Sequence, residues 1–250
     1  MEPIYRQTFP ISAIHLDCTG RMKPSAILYF AQESAGQHCM ELGTDWETMA
    51  KKGLFWAIIR NHVQIRRLPR EGEVITVETW PMPTTRVAYP RSMVATDEAG
   101  EVLFQVHSLW VLMDMHTRTM VQPAKSGVEV SGILRDTEIP APGSVPPFQT
   151  DHSMPHRVCF SDLDRNGHMN NVRYLDCLAD LLPSAFHAGH IPVEMTLGYL
   201  SESREGDVLD LGWTLGEDNI LHAEITRKDA EKGKTHRVLA ARICYESEIM

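Results

Sequence analysis

A hexapeptide near the start of the chain, Asp17-Cys18-Thr19-Gly20-Arg21-Met22, returns as Asp164-Arg165-Asn166-Gly167-His168-Met169, 147 residues further on (164 against 17). Four of the six positions agree in kind: Asp, a small polar residue, Gly and Met. Each copy leads into an apolar pattern of helical period. The first runs through Ile27, Phe30, Ala31, Ser34, Ala35, Cys39 and Leu42, the second through Val172, Leu175, Leu178, Ala179, Leu182 and Phe186. Gly43 suits the end of the first helix, and Pro183 limits the second. Another pair follows in the same order: Arg70-Glu71-Gly72-Glu73-Val74 and Arg204-Glu205-Gly206-Asp207-Val208. Both open into strands, and Leu209, Leu211, Trp213 and Leu215 alternate as a half-buried strand requires. Turn-like segments at 97–100 and 230–233 then precede final strands predicted over 102–113 and 235–245. Three matches in one order make a tandem repeat. A repeat constrains the fold more than any single motif, because one supersecondary unit must serve twice.

Each half reads as a strand, a long helix, then several antiparallel strands. Ala31, Ser34 and Ala35 are small enough to let a sheet approach the first helix closely, and a sheet curled around one central helix is the hotdog arrangement. The expected architecture is α+β: two tandem hotdog domains over residues 1–138 and 151–250, joined by a linker over 139–150. Five of the fifteen prolines, Pro123, Pro140, Pro142, Pro146 and Pro147, fall in or near that linker and favour an extended chain. A length of 250 residues accommodates two domains of ordinary size.

Features shared by both copies are architectural candidates; features found in one copy are better candidates for chemistry. The shared Asp and Gly shape the turn, since Asp bonds backbone amides and Gly tolerates positive φ. The second copy replaces Thr19 with Asn166 and Arg21 with His168, and sets Asn170 and Asn171 where helix caps belong. It therefore carries Asp164-x-Asn166-x-His168 at a helix N-terminus, where backbone amides favour a developing oxyanion. By itself a polar Asp, Asn and Gly turn before a helix is a common structural feature. The run from Asp162 imitates the start of a calcium loop, but its twelfth residue is Arg173 where Glu is needed. His152/His156 and His187/His190 have helix-neighbour spacing with no third ligand, so no metal is expected. No G-x-S-x-G elbow is present to support a serine hydrolase.

Composition narrows the partners. The formal net charge of −9 argues against a general nucleic-acid binder, which needs clustered Lys and Arg. Arg60, Arg66, Arg67 and Arg70 form one basic stretch, readable as a solvated strand edge or as a binding surface. No apolar run reaches the roughly 18 residues of a membrane span, and the first six residues lack the plan of a secretory signal. The five cysteines are widely spaced without a CxxC pair, which fits reduced thiols and a cytoplasmic protein.

The run Phe160-Ser161-Asp162-Leu163-Asp164-Arg165-Asn166-Gly167-His168-Met169-Asn170-Asn171-Val172-Arg173-Tyr174 resembles the signature of plant and bacterial acyl-acyl-carrier-protein thioesterases. The first half is similar too, in Glu33-Ser34-Ala35-Gly36-Gln37-His38 and Gly72-Glu73-Val74-Ile75-Thr76-Val77-Glu78-Thr79-Trp80-Pro81. The resemblance spans most of the chain in order. It implies a tandem hotdog, in agreement with the repeat, with catalytic Asp, Asn and His at Asp164, Asn166 and His168. The family's catalytic Glu follows a Thr-Leu-x-Tyr segment; here that segment is Thr196-Leu197-Gly198-Tyr199, and Glu202 inherits the role. Plant members usually carry Cys after that Glu, whereas this chain has Ser203. That departure speaks against a thiol nucleophile and leaves a carboxylate mechanism intact. At 134 residues' distance the counterpart of Glu202 is Leu68, one more difference between the copies (202 against 68).

The resemblance implies hydrolysis of acyl-acyl-carrier-protein (acyl-ACP) thioesters to free fatty acid, ending chain elongation, with no cofactor. Its partner is an acyl carrier protein bearing a phosphopantetheine-linked acyl chain. The first domain is expected to enclose that chain beside a degenerate site. A thioester leaves as a thiol of pKa about 8.5, so the enzyme needs a base or nucleophile and an oxyanion site more than a strong acid. Glu202 activates water in the preferred scheme, His168 and Asn166 position it or the carbonyl, and Asp164 orients the group or attacks directly. Arg165 and Arg173 flank the turn and are candidates for carrier carboxylates or the pantetheine phosphate; Arg173 can instead pair with Asp176 or Asp180 along the helix. The rival activities are an acyl-CoA thioesterase, a hotdog enoyl-thioester hydratase, and a non-catalytic acyl-binding protein. Each chain already pairs two hotdogs, so a monomer or a homodimer of tandem units is expected.

Overall fold

The computed structural model describes residues 3–136, 139–229 and 233–248. The chain divides into two compact units, residues 1–142 and 143–250. In the first unit β1 (Tyr5–Pro10) leads through the repeated turn into α1 (Pro24–Leu42) and the short α2 (Trp46–Lys51). Five further strands follow, β2 (Leu54–Ile65), β3 (Val74–Pro81), β4 (Tyr89–Thr96), β5 (Val102–Asp114) and β6 (Met120–Val121), then the single-turn α3 (Pro123–Ser126). The strands lie in the order β1-β3-β4-β5-β2, all antiparallel, with β6 paired to β5.

Sequence dictates where α1 begins and ends. Pro24 occupies its first turn, where a missing N–H costs nothing, and Gly43 closes it in the left-handed region at φ +64°. One face buries Ile27, Phe30, Ser34, Ala35 and His38, and the Phe30 ring meets Phe9 of β1 at 4.6 Å between centroids. Ser34 and Ala35 are buried as small residues facing a sheet should be. The basic stretch is partly neutralised locally: Arg67 reaches Glu73 at 2.8 Å and Asp97 at 3.3 Å.

The second unit repeats the plan. β7 (His152–Arg157) precedes α4 (Asn171–Ala179) and α5 (Ser184–Gly189), then β8 (His190–Tyr199), β9 (Val208–Leu215), β10 (Ile220–Lys228) and β11 (Thr235–Ser247). Its strand order is β7-β9-β10-β11-β8, the same topology as the first unit. The register matches too. Tyr5 stands opposite Thr79 and Pro10 opposite Val74; His152 stands opposite Trp213 and Arg157 opposite Val208. These are the pairs that the two sequence offsets bring into correspondence. The turn-like match at 230–233 has its residues 230–232 outside the described ones.

The helices differ in length. α1 has 19 residues and α4 only 9. The apolar pattern continues past Ala179, but Pro183 supplies no backbone donor and its ring disfavours the preceding turn, so helix resumes only at Ser184. α4 still buries Tyr174, Leu175, Cys177 and Leu178.

Candidate active site

The repeated hexapeptide folds as one turn in both units. Asp17 N donates to Arg21 O at 2.8 Å, and Asp164 N to His168 O at 2.7 Å. Gly20 and Gly167 sit at φ +76° and +73°, a conformation other residues reach only with strain. In each turn the Asp carboxylate folds back over the backbone. Asp17 Oδ1 accepts from Thr19 N at 2.7 Å and Arg21 N at 3.4 Å; Asp164 Oδ1 accepts from Asn166 N at 2.7 Å and His168 N at 3.3 Å. The side chain two residues on also joins: Thr19 Oγ1 donates to Asp17, and Asn166 Nδ2 donates to Asp164 Oδ2 at 3.2 Å. Asp164 therefore does in this turn what Asp17 does in a turn that carries no His.

The loop after β8 meets this turn. Met169 N donates to Ser203 O at 2.8 Å, as Met22 N does to Pro69 O at 3.2 Å in the first unit. That backbone bond pins residues 168–169 against residues 202–203. His168 Nε2 consequently lies 3.3 Å from Glu202 Oε2, with the His side chain 14% exposed and the Glu side chain 36%. Asp164, Asn166, His168 and Glu202, read from sequence as one constellation, stand within a single hydrogen-bonded turn and loop. The first unit has Arg21 and Leu68 at the matching positions, so the same scaffold there carries no acid–base pair.

The helix start is less open than the sequence implies. Asn170 caps α4, its side chain accepting from Val172 N at 3.0 Å while its carbonyl accepts from Arg173 N at 2.9 Å. Two first-turn amides are thus already bonded. Asn166, exposed and oriented by Asp164, is the better-placed donor for an oxyanion.

Arg173 turns inward. Its guanidinium bonds Asp176 one turn along α4 and Asp162 Oδ1 at 3.3 Å. Asp162 is 3% exposed. Burial alone would raise its carboxyl, but the Cys159 amide, His156 and Arg173 more than offset this and hold it below the usual range. Asp176 is one of the two helix partners that the spacing predicts. Arg165 remains exposed on the turn. Arg173→Ala is expected to destabilise the protein by about 1–2 kcal/mol, a buried carboxylate's loss discounted for the half-exposed Arg. Chemical denaturation measures that loss. KM for carrier-linked and short pantetheine substrates should change equally, and a selective rise for the carrier substrate would make Arg173 a docking residue.

Sequence reasoning missed Arg204, whose Nη2 lies 2.9 Å from Glu202 Oε1. It sits in a turn shared by both copies and was therefore read as architecture. It also missed the buried hydroxyls behind the site. Ser203 Oγ and the Tyr174 hydroxyl lie close enough to influence each other, yet neither makes a well-formed hydrogen bond. Burial pushes Tyr174 up to about 12 and the Cys177 thiol up to about 12, so neither ionises near neutrality. Ser203 is fully buried. Ser203→Ala is expected to keep activity within about threefold, because it removes an unsatisfied hydroxyl and no catalytic contact; turnover falling as far as in a His168→Ala enzyme would reverse this assignment.

Among the described residues no three His, Cys, Asp or Glu side chains converge as a metal site requires. The four histidines weighed as ligands are otherwise engaged: His156 with Asp162, His187 with Ala179 O, His190 with Phe186 O, and His152 in ring contact with Trp213. No helix among the described residues is long and apolar enough to cross a membrane.

The chain is similar to known proteins over most of its length. Residues 2–129 match the acyl-ACP thioesterase N-terminal domain and residues 147–246 the acyl-ACP thioesterase C-terminal domain. The chain is 28% identical over 235 residues to a chloroplastic palmitoyl-acyl carrier protein thioesterase of Gossypium hirsutum, covering 88% of this chain and 57% of that protein. It is 27% identical over 225 residues to a chloroplastic dodecanoyl-[acyl-carrier-protein] hydrolase of Cinnamomum camphora, covering 82% and 58%. The chain thus spans less than two thirds of these relatives. Its fold is that of an acyl-ACP thioesterase from Bacteroides thetaiotaomicron (TM-score 0.83, 23% identity, 98% of each chain covered) and of the 12:0-ACP thioesterase from Umbellularia californica (TM-score 0.82, 23% identity, 99% of each). With both domain families matched in order across 228 of its 250 residues, the chain belongs to the acyl-ACP thioesterase family.

Proposed function

We propose that this protein hydrolyses acyl-ACP thioesters to free fatty acid and carrier protein, ending chain elongation in the cytoplasm. The observation that carries this reading is the His168–Glu202 pair, 3.3 Å apart on a turn organised by Asp164. Family membership supports the carrier-linked substrate, and the five unpaired cysteines support a reducing compartment.

Glu202 Oε2 takes a proton from the attacking water, with His168 fixing the position of that water and of the carboxylate. Asn166, its amide turned by Asp164, donates to the carbonyl oxygen as negative charge develops there. The thiolate that departs needs little help, since its conjugate acid has a pKa of about 8.5. The first unit, which has the scaffold without the polar trio, encloses the acyl chain between α1 and its sheet.

Incubating the protein with acyl-ACP, acyl-CoA and enoyl-ACP beside a thiol-reactive dye tests the proposal. Free thiol and free fatty acid from acyl-ACP are expected. Thiol release from acyl-CoA alone would make it an acyl-CoA thioesterase. Hydroxyacyl product without thiol would make it a hydratase, and bound, unchanged thioester would make it an acyl-binding protein.

A further inference from the structure

Glu202 is gripped on both oxygens. Oε2 faces His168 Nε2 at 3.3 Å, and Oε1 accepts from Arg204 Nη2 at 2.9 Å. Arg204 is itself anchored at its backbone, its N donating to Asp207 Oδ2 at 2.8 Å. The same Asp207 oxygen receives Arg227 Nη1 of β10 at 2.7 Å. Asp207 in turn is tied to the end of β7, where Val158 N donates to its carbonyl at 2.9 Å. The chain of contacts runs from two strands through Asp207 and Arg204 to one oxygen of the proposed base.

The first unit supplies an internal control. There Arg70 makes the same backbone bond, N to Glu73 Oε1 at 2.9 Å. The residue two places before it is Leu68, so the turn exists without a carboxylate for the Arg to hold. The backbone role of this Arg is architectural in both units, and in the second unit, where His168 is also present, its side chain pairs with a carboxylate.

We propose that Arg204 is a positioning residue for the hydrolysis: it holds Glu202 in place through Oε1, leaving Oε2 to His168 and the attacking water. This rests on the reading of Glu202 as the base. As a stability element the pair counts for little, because the Arg204 side chain is 60% exposed. Its worth is geometric. A Glu carboxylate on a loop can rotate about three side-chain bonds, and a bond to each oxygen removes that freedom before substrate arrives. The charged and titratable groups on the turn, the loop and the neighbouring elements include Asp164, Arg165 and His168 on the turn, Glu205 and Asp207 on the loop itself, Arg157 on β7, Arg173 and Tyr174 on α4, Arg227 on β10 and Arg237 on β11. Arg204 reaches Oε1, Arg227 bonds Asp207, and Arg237 bonds Glu224.

The test compares Arg204→Met and Arg204→Lys by full pH–rate profiles on acyl-ACP. Arg204→Met is expected to lower kcat about 10-fold with KM within about twofold, the signature of an interaction used in the chemical step. Without a cation beside it Glu202 is harder to ionise, so the acid limb of kcat moves to higher pH. Arg204→Lys should restore the limb and most of kcat, since a point charge suffices for the first effect. In a Glu202→Gln background Arg204→Met should cost nothing further. An unmoved acid limb, or a rise in KM with kcat intact, would overturn the proposal and make Arg204 structural or a substrate contact. Near-normal turnover of Glu202→Gln alone would instead remove the base assignment, a separate failure visible in the single variant.

Discussion

Glu202→Ala is expected to lower acyl-ACP hydrolysis by about 100-fold or more, and His168→Ala by a similar factor. The two side chains share one contact at 3.3 Å and, in the proposed scheme, act on one water, so their losses should not add. The double variant is expected near the slower single one. Steady-state rates of the four proteins, each shown folded by its denaturation midpoint, check this. Near-normal turnover of Glu202→Ala would sink the water-activation scheme. Fully multiplicative losses would mean that His168 and Glu202 serve different steps.

Much of this arrangement is legible in the residues because the chain carries its own comparison. The two copies of the hexapeptide turn obey the same rules: an Asp to accept backbone amides, and a Gly at positive φ. What remains after that subtraction is Asn166 and His168, and the same subtraction at 134 residues' distance isolates Glu202 against Leu68. The two offsets imply that both halves pair alike, since a repeat must pair as its partner pairs, but the strand order itself depends on contacts between strands that the sequence does not state. Subtraction also hides things. Arg204 matches Arg70, so the comparison assigned it to the turn, yet a side chain's partner depends on what the neighbouring position offers. Asp162 was considered only as a metal ligand, while its burial and its grip on Arg173 come from tertiary packing that spacing does not report. The short α4 was foreshadowed by Pro183, whose effect on helix length is local and therefore readable.

Asp164 provides the second large expected effect. Its Oδ1 accepts two backbone amides and its Oδ2 the Asn166 side chain, and Asp17 makes the same backbone bonds where no reaction is proposed. A carboxylate so occupied is an organiser of the turn, and its attack on the thioester would require giving up those bonds. Asp164→Ala should therefore cost about 100-fold, because it releases both Asn166 and His168 from their positions, a loss on the scale of misplaced catalytic groups. Asp164→Asn keeps an amide oxygen that can still accept from the two backbone N–H groups. It is expected to recover about tenfold of that loss, since it preserves the backbone bonds of the turn while giving up the charge and the acceptor that Oδ2 offers the Asn166 side chain. A nucleophile would behave otherwise: Asn would be as inactive as Ala, and an anhydride opened by heavy-oxygen water at the Asp carbonyl would leave label in the Asp164 carboxylate after one turnover. Mass spectrometry of the active-site peptide after one turnover separates the two. Unlabelled protein with a partly active Asn variant is expected, and label at Asp164 would replace water attack with an acyl-enzyme anhydride.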